Sequence, residues 1–228
     1  GDQPAPGIPC TQGVQKMSLF TPTERTFATT ISQIAHSNPF LPDRIALERQ
    51  ALGPAFIEPD SQWNRRPQSL GLHDNVTRLA DLSTSLADAA RSRFTHGARA
   101  SDSELVLYQD LCLFALYHQY FQQLSTFIER NAQPPAPPQR VPFYRAFAAQ
   151  VAHYFDLPDR TLPIQETPQH LFAIFFQIRR AFLHIFSCIV GGSEPACQLR
   201  AAVWQSIFTH DLGRYRRSLH QRMGDITG

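Results

Sequence analysis

The stretch TPQHLFAIFFQIRRAFLHIFSCIV, Thr167 to Val190, decides the fold. Thr167 is a helix N-cap residue, and Pro168 occupies the first helical position, where its missing N–H costs nothing. Gly191 and Gly192 stop the helix. Leu171, Phe175, Ile178, Phe182, Ile185 and Ile189 recur at 4-3-4-3-4 spacing, which is one helical face. Phe172, Phe176, Leu183, Phe186 and Val190 form a second apolar row, leaving only the stripe Gln177, Arg180 and His184. A helix apolar nearly all round belongs in the centre of a packed domain. Its length would span a bilayer, but Gln177, Arg179, Arg180 and His184 at mid-length make that costly. It is therefore expected to be the core helix of a soluble protein.

Outward from this helix, the 228 residues suit one large domain, or one domain and part of another, and the 17 Phe are ample for a core. The formal charge of +2 argues for neither nucleic acid nor an anionic membrane as partner. Only Lys16 among the 21 basic residues is lysine, a bias that suggests a GC-rich bacterial coding sequence. Cys10, Cys112, Cys188 and Cys197 show no CxxC pairing, and no charged-then-apolar leader opens the chain. A reducing cytoplasm is the simplest reading.

Residues 1–16, rich in Gly and Pro, read as a tail. Thr21 and Glu24 frame a capping box around Pro22, opening a helix to His36 with Phe27, Ile31 and Ile34 inward. Asn38-Pro39 and Pro42 make a corner before a helix from about Pro42 to Ala51, closed by Gly53. Pro54 to Gly71 is irregular, with Trp63 pinning the loop to its own core as the favoured role. A helix from Asp74 to Phe94 follows, with Val76, Leu79, Leu82, Leu86, Ala90 and Phe94 in register. Ser101 and Glu104 then cap one long apolar helix reaching Arg130, the second central element. The run QPPAPP, Gln133 to Pro138, is a stiff spacer. Pro142 to Phe155 carries Phe143, Phe147, Val151 and Tyr154 on one side. After the core helix, Glu194 to Thr209 places Leu199, Val203 and Ile207 inward, and Leu212 to Met223 shows a basic face. No strand-like alternation of useful length occurs. The expected fold is all-α, a multi-helix bundle of about seven or eight helices around two long apolar helices.

Gly191-Gly192-Ser193-Glu194-Pro195-Ala196, the helix through Trp204 and Phe208, and Gly224-Asp225-Ile226-Thr227 resemble a known lead-in. It is the segment that opens the AAA+ ATPase domain of bacterial sigma-54-dependent transcriptional activators, just before the Walker A loop. Asn38-Pro39-Phe40-Leu41-Pro42 with Ile45 to Gly53, Phe175 to Ile189, and Ala202 to Arg217 are similar to the long N-terminal region of one subgroup. The resemblance implies a regulatory or sensor domain over residues 17–190 and coupling helices over 191–228, leading into an ATPase domain beyond. It also implies that ATPase as partner, and a homo-oligomer in the full-length context. These residues hold no Walker A or B motif, sigma-contacting loop or DNA-binding helix-turn-helix, so neither ATP hydrolysis nor direct nucleic-acid binding is assigned to them. Trp204, Phe208, Arg214, Tyr215, Arg216 and Arg217 are the candidate coupling residues, a solvated helix face being the alternative for the arginines.

Other chemistry has weaker signals. Neither GxxxxGK[ST] nor GxGxxG occurs, and Gly191-Gly192-Ser193 reads as a C-cap followed by an N-cap. No HExxH or CxxC is found, His170 and His184 are about four turns apart, and His210-Asp211 is a weak match to metal phosphohydrolases. No GxSxG is present. Asp110 is expected to pair with Arg179 or Arg180 across the two long helices. Phe114, Tyr117, Tyr120, Phe121, Phe172, Phe175, Phe176 and Phe182 either pack a core or wall a cavity. His118, Tyr117, Phe121, Gln177, Arg180 and His184 are its candidate ligand contacts. The leading reading is a non-catalytic regulatory module needing no cofactor and served by a small-molecule effector. A small-molecule or haem sensor acting alone is the second reading, and a metal-dependent hydrolase the third.

Overall fold

A computed structural model describes residues 18–59, 73–131, 140–157 and 160–208. Trp63, the QPPAPP run, His210-Asp211 and the expected helix Leu212 to Met223 lie outside the described residues. Among those described, eight α-helices and one short 3₁₀ turn, Gly53–Ala55, form an all-α bundle with no strand. The helices are α1 (Pro22–His36), α2 (Asp43–Leu52), α3 (Asp74–Thr95), α4 (Asp102–Gln119), α5 (Phe121–Arg130), α6 (Tyr144–Phe155), α7 (Pro168–Cys188) and α8 (Glu194–Phe208).

Local chemistry sets most of the boundaries. Thr21 with Glu24 and Ser101 with Glu104 form complete capping boxes, and Thr167 accepts from the His170 amide. Gly53 closes α2 at φ 51°, a left-handed position suited to a residue without Cβ. The loops are fixed by buried polar side chains. Asn75 exchanges two hydrogen bonds with the Ile57 backbone at 2.7 and 2.9 Å, and the Tyr108 hydroxyl donates to the Tyr154 carbonyl at 2.9 Å.

Four expectations are corrected. The helix expected from Ser101 to Arg130 is two helices broken at Tyr120, with no glycine or proline to mark the bend. There the Tyr120 ring packs on Phe143 and Phe147, with centroids 6.0 and 5.1 Å away, and α5 turns to meet α7. The centre belongs to α4, which contacts α1, α3, α5 and α6, while α7 lies to one side against α5, α6 and α8. Only 28% of the most apolar stretch of α7 is buried, although by length and composition this helix would suffice to cross a membrane. In α3 Leu82 is 48% exposed, and Asn75 and Ser83 share the buried face. In α8 the inward residues are Cys197, Arg200, Ala201, Trp204 and Phe208, and Leu199 faces out. Both rotations have one cause: a neighbouring helix, not the apolar count, decides which side is covered.

One ion pair ties the start of α1 to the end of α3. Arg93 grips Glu24 through two bonds of 2.7 and 2.8 Å and also donates to the Leu19 carbonyl. Hydrogen bonds from Arg93, joined by those from Thr21, hold the Glu24 carboxyl at about 2, well below the ordinary 4.5. A carboxyl depressed in the folded state contributes stability that is whole above its unfolded value and disappears as pH falls through the folded one. Glu24→Gln should therefore cost about 2 kcal/mol at pH 7. In urea denaturation, the gap between variant and wild type should close as pH is taken from 4.5 towards 2.

Candidate functional site

Two constellations contain the residues singled out from the sequence. The first lies where α4, α5 and α7 meet. Tyr117, His118 and Phe121 come together there, joined by Phe114, Ser125, Phe175 and Arg179. The rings interlock: Phe114 and His118 have centroids 4.1 Å apart, Tyr117 stands edge-on to Phe175 at 5.4 Å, and it meets Phe121 at 6.3 Å.

Arg179 is the unexpected member. It is only 8% exposed, its guanidinium carbon sits 3.8 Å from the Phe121 ring centre, and its Nε donates to the Ser125 hydroxyl at 2.6 Å. The expected pairing with Asp110 is not made. Asp110 accepts from Ser32 of α1 at 2.7 Å and lies 3.9 Å from His36. It belongs to the α1–α4 contact and Arg179 to the α5–α7 contact, so the two never face each other. Among the described residues no carboxylate is within ion-pair distance of Arg179. Burial lowers its pKa, opposed by the nearby Tyr117 and Glu129.

The Tyr117 hydroxyl is buried beside that guanidinium, yet makes no hydrogen bond of good geometry, and burial pushes its pKa up to about 12. His118 donates from Nδ1 to the Phe114 carbonyl at 2.8 Å, its neutral ring filling the space beside Phe114. Burial pulls the imidazole down from 6.5 to about 4, with Arg44 adding to the effect. Gln177, Arg180 and His184 do not join this set. Arg180 and His184 are exposed, and helical geometry turns Gln177 about 200° away from Arg179. An open groove of about 700 Å³ lies elsewhere, between α1, α2 and α3, and none of the residues predicted from the sequence lines it.

The second constellation joins α8 to the bundle. Phe40, 2% exposed in the corner between α1 and α2, packs on Phe182, Phe186 and Trp204 with centroids 5.5, 5.3 and 6.0 Å away. Trp204 also meets Phe182 at 4.6 Å and Phe208 at 4.3 Å. Asn38 accepts from the Phe40 amide and donates to the Ala201 carbonyl, both at 3.0 Å, pinning the corner to α8.

Arg200, 4% exposed, reaches back to the end of α7. It donates twice to the Ile189 carbonyl, at 3.1 and 2.9 Å, and once to that of Gly191, while lying over the Phe186 ring. Carbonyls left over at a helix C-terminus carry partial negative charge, so a cation is their natural partner. Arg214, Tyr215, Arg216 and Arg217, the remaining predicted coupling residues, lie outside the described residues.

Of the residues proposed from the sequence, Tyr117, His118 and Phe121 come together at the first constellation and Trp204 and Phe208 at the second, each joined by a residue the sequence reading did not single out, Ser125 and Arg200. Arg179 was expected only as a partner of Asp110; its register, four residues after Phe175 and eight after Leu171, places it on the buried face. Among the described residues no three His, Cys, Asp or Glu converge as a metal site would require. Comparison with known protein families, curated proteins and solved structures finds no match to this chain.

Two measurements follow. The unfolded imidazole takes a proton near 6.5 and the folded one near 4, so acid opposes folding across that window. Wild-type stability should fall as pH drops from 6.5 towards 4, with a slope approaching about 1.4 kcal/mol per pH unit, and the drop should be shallower in His118→Leu. Replacing Arg200 with Leu strands the α7 terminal carbonyls and should cost about 3 kcal/mol in urea denaturation at pH 7.

Proposed function

We propose that this chain is a non-catalytic, signal-receiving module that controls a neighbouring AAA+ ATPase of the sigma-54-activator type. The observation that carries this reading is the seating of α8. Asn38, Phe40, Phe182 and Trp204 hold it from both ends of the chain, and Arg200 binds it to the terminus of α7. Any displacement of α7 is thereby delivered to α8 and to the chain that follows it. Packed interfaces of this kind shift between discrete arrangements instead of deforming continuously. Phe175 and Arg179 of the first constellation lie on the same helix, before Phe182 and Phe186, so an effector acting there has a mechanical path to α8. The resemblance at Gly191 to Ala196 and at Asn38 to Pro42 supports the same assignment, because these segments form and face the α7–α8 junction.

The reading requires a GxxxxGK[ST] loop within about ten residues of Gly228 in the natural frame. It also requires that the junction matter to the neighbour. In the intact protein, Asn38→Ala removes one buried hydrogen bond and should leave the bundle folded at a cost of about 1 kcal/mol. It should move the ATPase rate severalfold, in the same direction as deletion of residues 1–190. A frame lacking the phosphate loop, or an ATPase rate indifferent to both changes, would sink the proposal.

A further inference from the structure

The groove of about 700 Å³ between α1, α2 and α3 is lined by side chains that neither constellation uses. From α3 come Leu82, Ser85, Leu86 and Ala89, spaced i, i+3, i+4 and i+7 on one helical face. That face runs for about 10 Å along the helix axis. Phe27 of α1 adds a ring to the lining, and Leu82 is exposed.

The polar groups of the groove offer acceptors. The Thr26 hydroxyl already donates to the Pro22 carbonyl at 3.1 Å, that of Thr30 to the Thr26 carbonyl at 3.0 Å, and that of Ser85 to the Asp81 carbonyl at 2.9 Å. A hydroxyl has one hydrogen to give, so what remains on these oxygens is lone pairs. Gln50 turns its amide nitrogen to the Thr30 hydroxyl at 3.3 Å, with its amide oxygen left over. Of the lining hydroxyls, only that of Thr23 donates to no group among the described residues.

Charge points the same way. No basic side chain lines the groove, and its one ionised group, Glu24, is held as a carboxylate by Arg93. Gln50 and Ala51 belong to the last turn of α2, the partially negative end of a helix. Asp81, one turn before Ser85 on α3, is exposed and has no ion pair among the described residues.

We propose that this groove binds a small organic amine, its ammonium received by the Thr26 hydroxyl oxygen and the Gln50 amide oxygen and its apolar body lying along α3 over Leu82 and Leu86. An ammonium carries donors only, the complement of a wall of acceptors, whereas a carboxylate or phosphate would meet lone pairs and Glu24. The inference goes beyond the coupling reading and does not rest on it.

The experiment is thermal unfolding of the purified 228-residue chain at pH 7 and constant ionic strength. The probes are hexylamine, tryptamine, tryptophol, indole-3-acetate and ammonium chloride. At least one amine should raise Tm by about 5 °C or more at a hundredfold excess over Kd. The alcohol, the acid and ammonium chloride should not. Ser85→Trp fills the groove from an exposed position, so it should keep the Tm of the free protein and lose the amine response. Thr26→Val keeps the shape, removes one acceptor and should weaken binding severalfold. The proposal is overturned if neither amine shifts Tm, or if tryptophol, indole-3-acetate or ammonium chloride does so equally. It is likewise overturned if Ser85→Trp folds and responds as the wild type does. Should Ser85→Trp fail to fold, Thr26→Val decides: an undiminished response overturns the proposal.

Discussion

The Phe40 ring holds the two ends of the described chain together. It projects from the corner between α1 and α2 into a cluster made by Phe182, Phe186 and Trp204, more than 140 residues later in sequence. Rings in tilted and edge-on contact at these separations contribute beyond the area they bury. Asn38 adds a directional bond to Ala201, which fixes how far along α8 the corner sits. Without this contact α8 would keep its attachment to α7 and lose its position against the N-terminal helices.

Around that clasp the bundle divides its labour between two kinds of packing. The α1–α3–α4 side is assembled from small and branched residues, Ala28, Ile31, Leu79, Ala87, Ala90 and Leu111, all fully buried. The α5–α6–α7 side is assembled from rings: Phe143, Phe147, Phe172, Phe175 and Tyr120 contact one another over a continuous patch. Aromatic side chains leave polar atoms and partly covered faces at their edges more readily than aliphatic ones do. Buried polar atoms without a hydrogen-bond partner occur on both sides, Ser83 Oγ of α3 and the Tyr117 hydroxyl among them.

The charged residues follow the same division. Glu24 with Arg93 ties α1 to α3, Glu104 with Arg25 ties α4 to α1, and Glu48 with Arg44 is a pair within α2. On the other side Arg200 meets carbonyls, and Arg179 meets a hydroxyl and a ring. A buried cation that is not answered by a carboxylate loses hydration without recovering it in an ion pair.

By itself the sequence determined where most helices start, because the signals that start them are local. Thr21 with Glu24, Ser101 with Glu104, Thr167-Pro168 and Gly53 act within one turn of their own position, and those boundaries stand where the residues placed them. It also determined which rings crowd together, since Tyr117, His118 and Phe121 share a turn of chain at the α4–α5 bend. Only tertiary structure decided what each helix faces. The Phe-rich α7, apolar on all but the narrow Gln177–Arg180–His184 stripe, gives little azimuth from its pattern, and its position at the edge goes with α4 being enclosed by four partners. The bend at Tyr120, the separation of Asp110 from Arg179, and the reach of Arg200 to Ile189 are contacts between residues remote in sequence or set by them. Helical periodicity carries no information about such distances: it fixes which side chains share a face, and the neighbours available fix whether that face is covered.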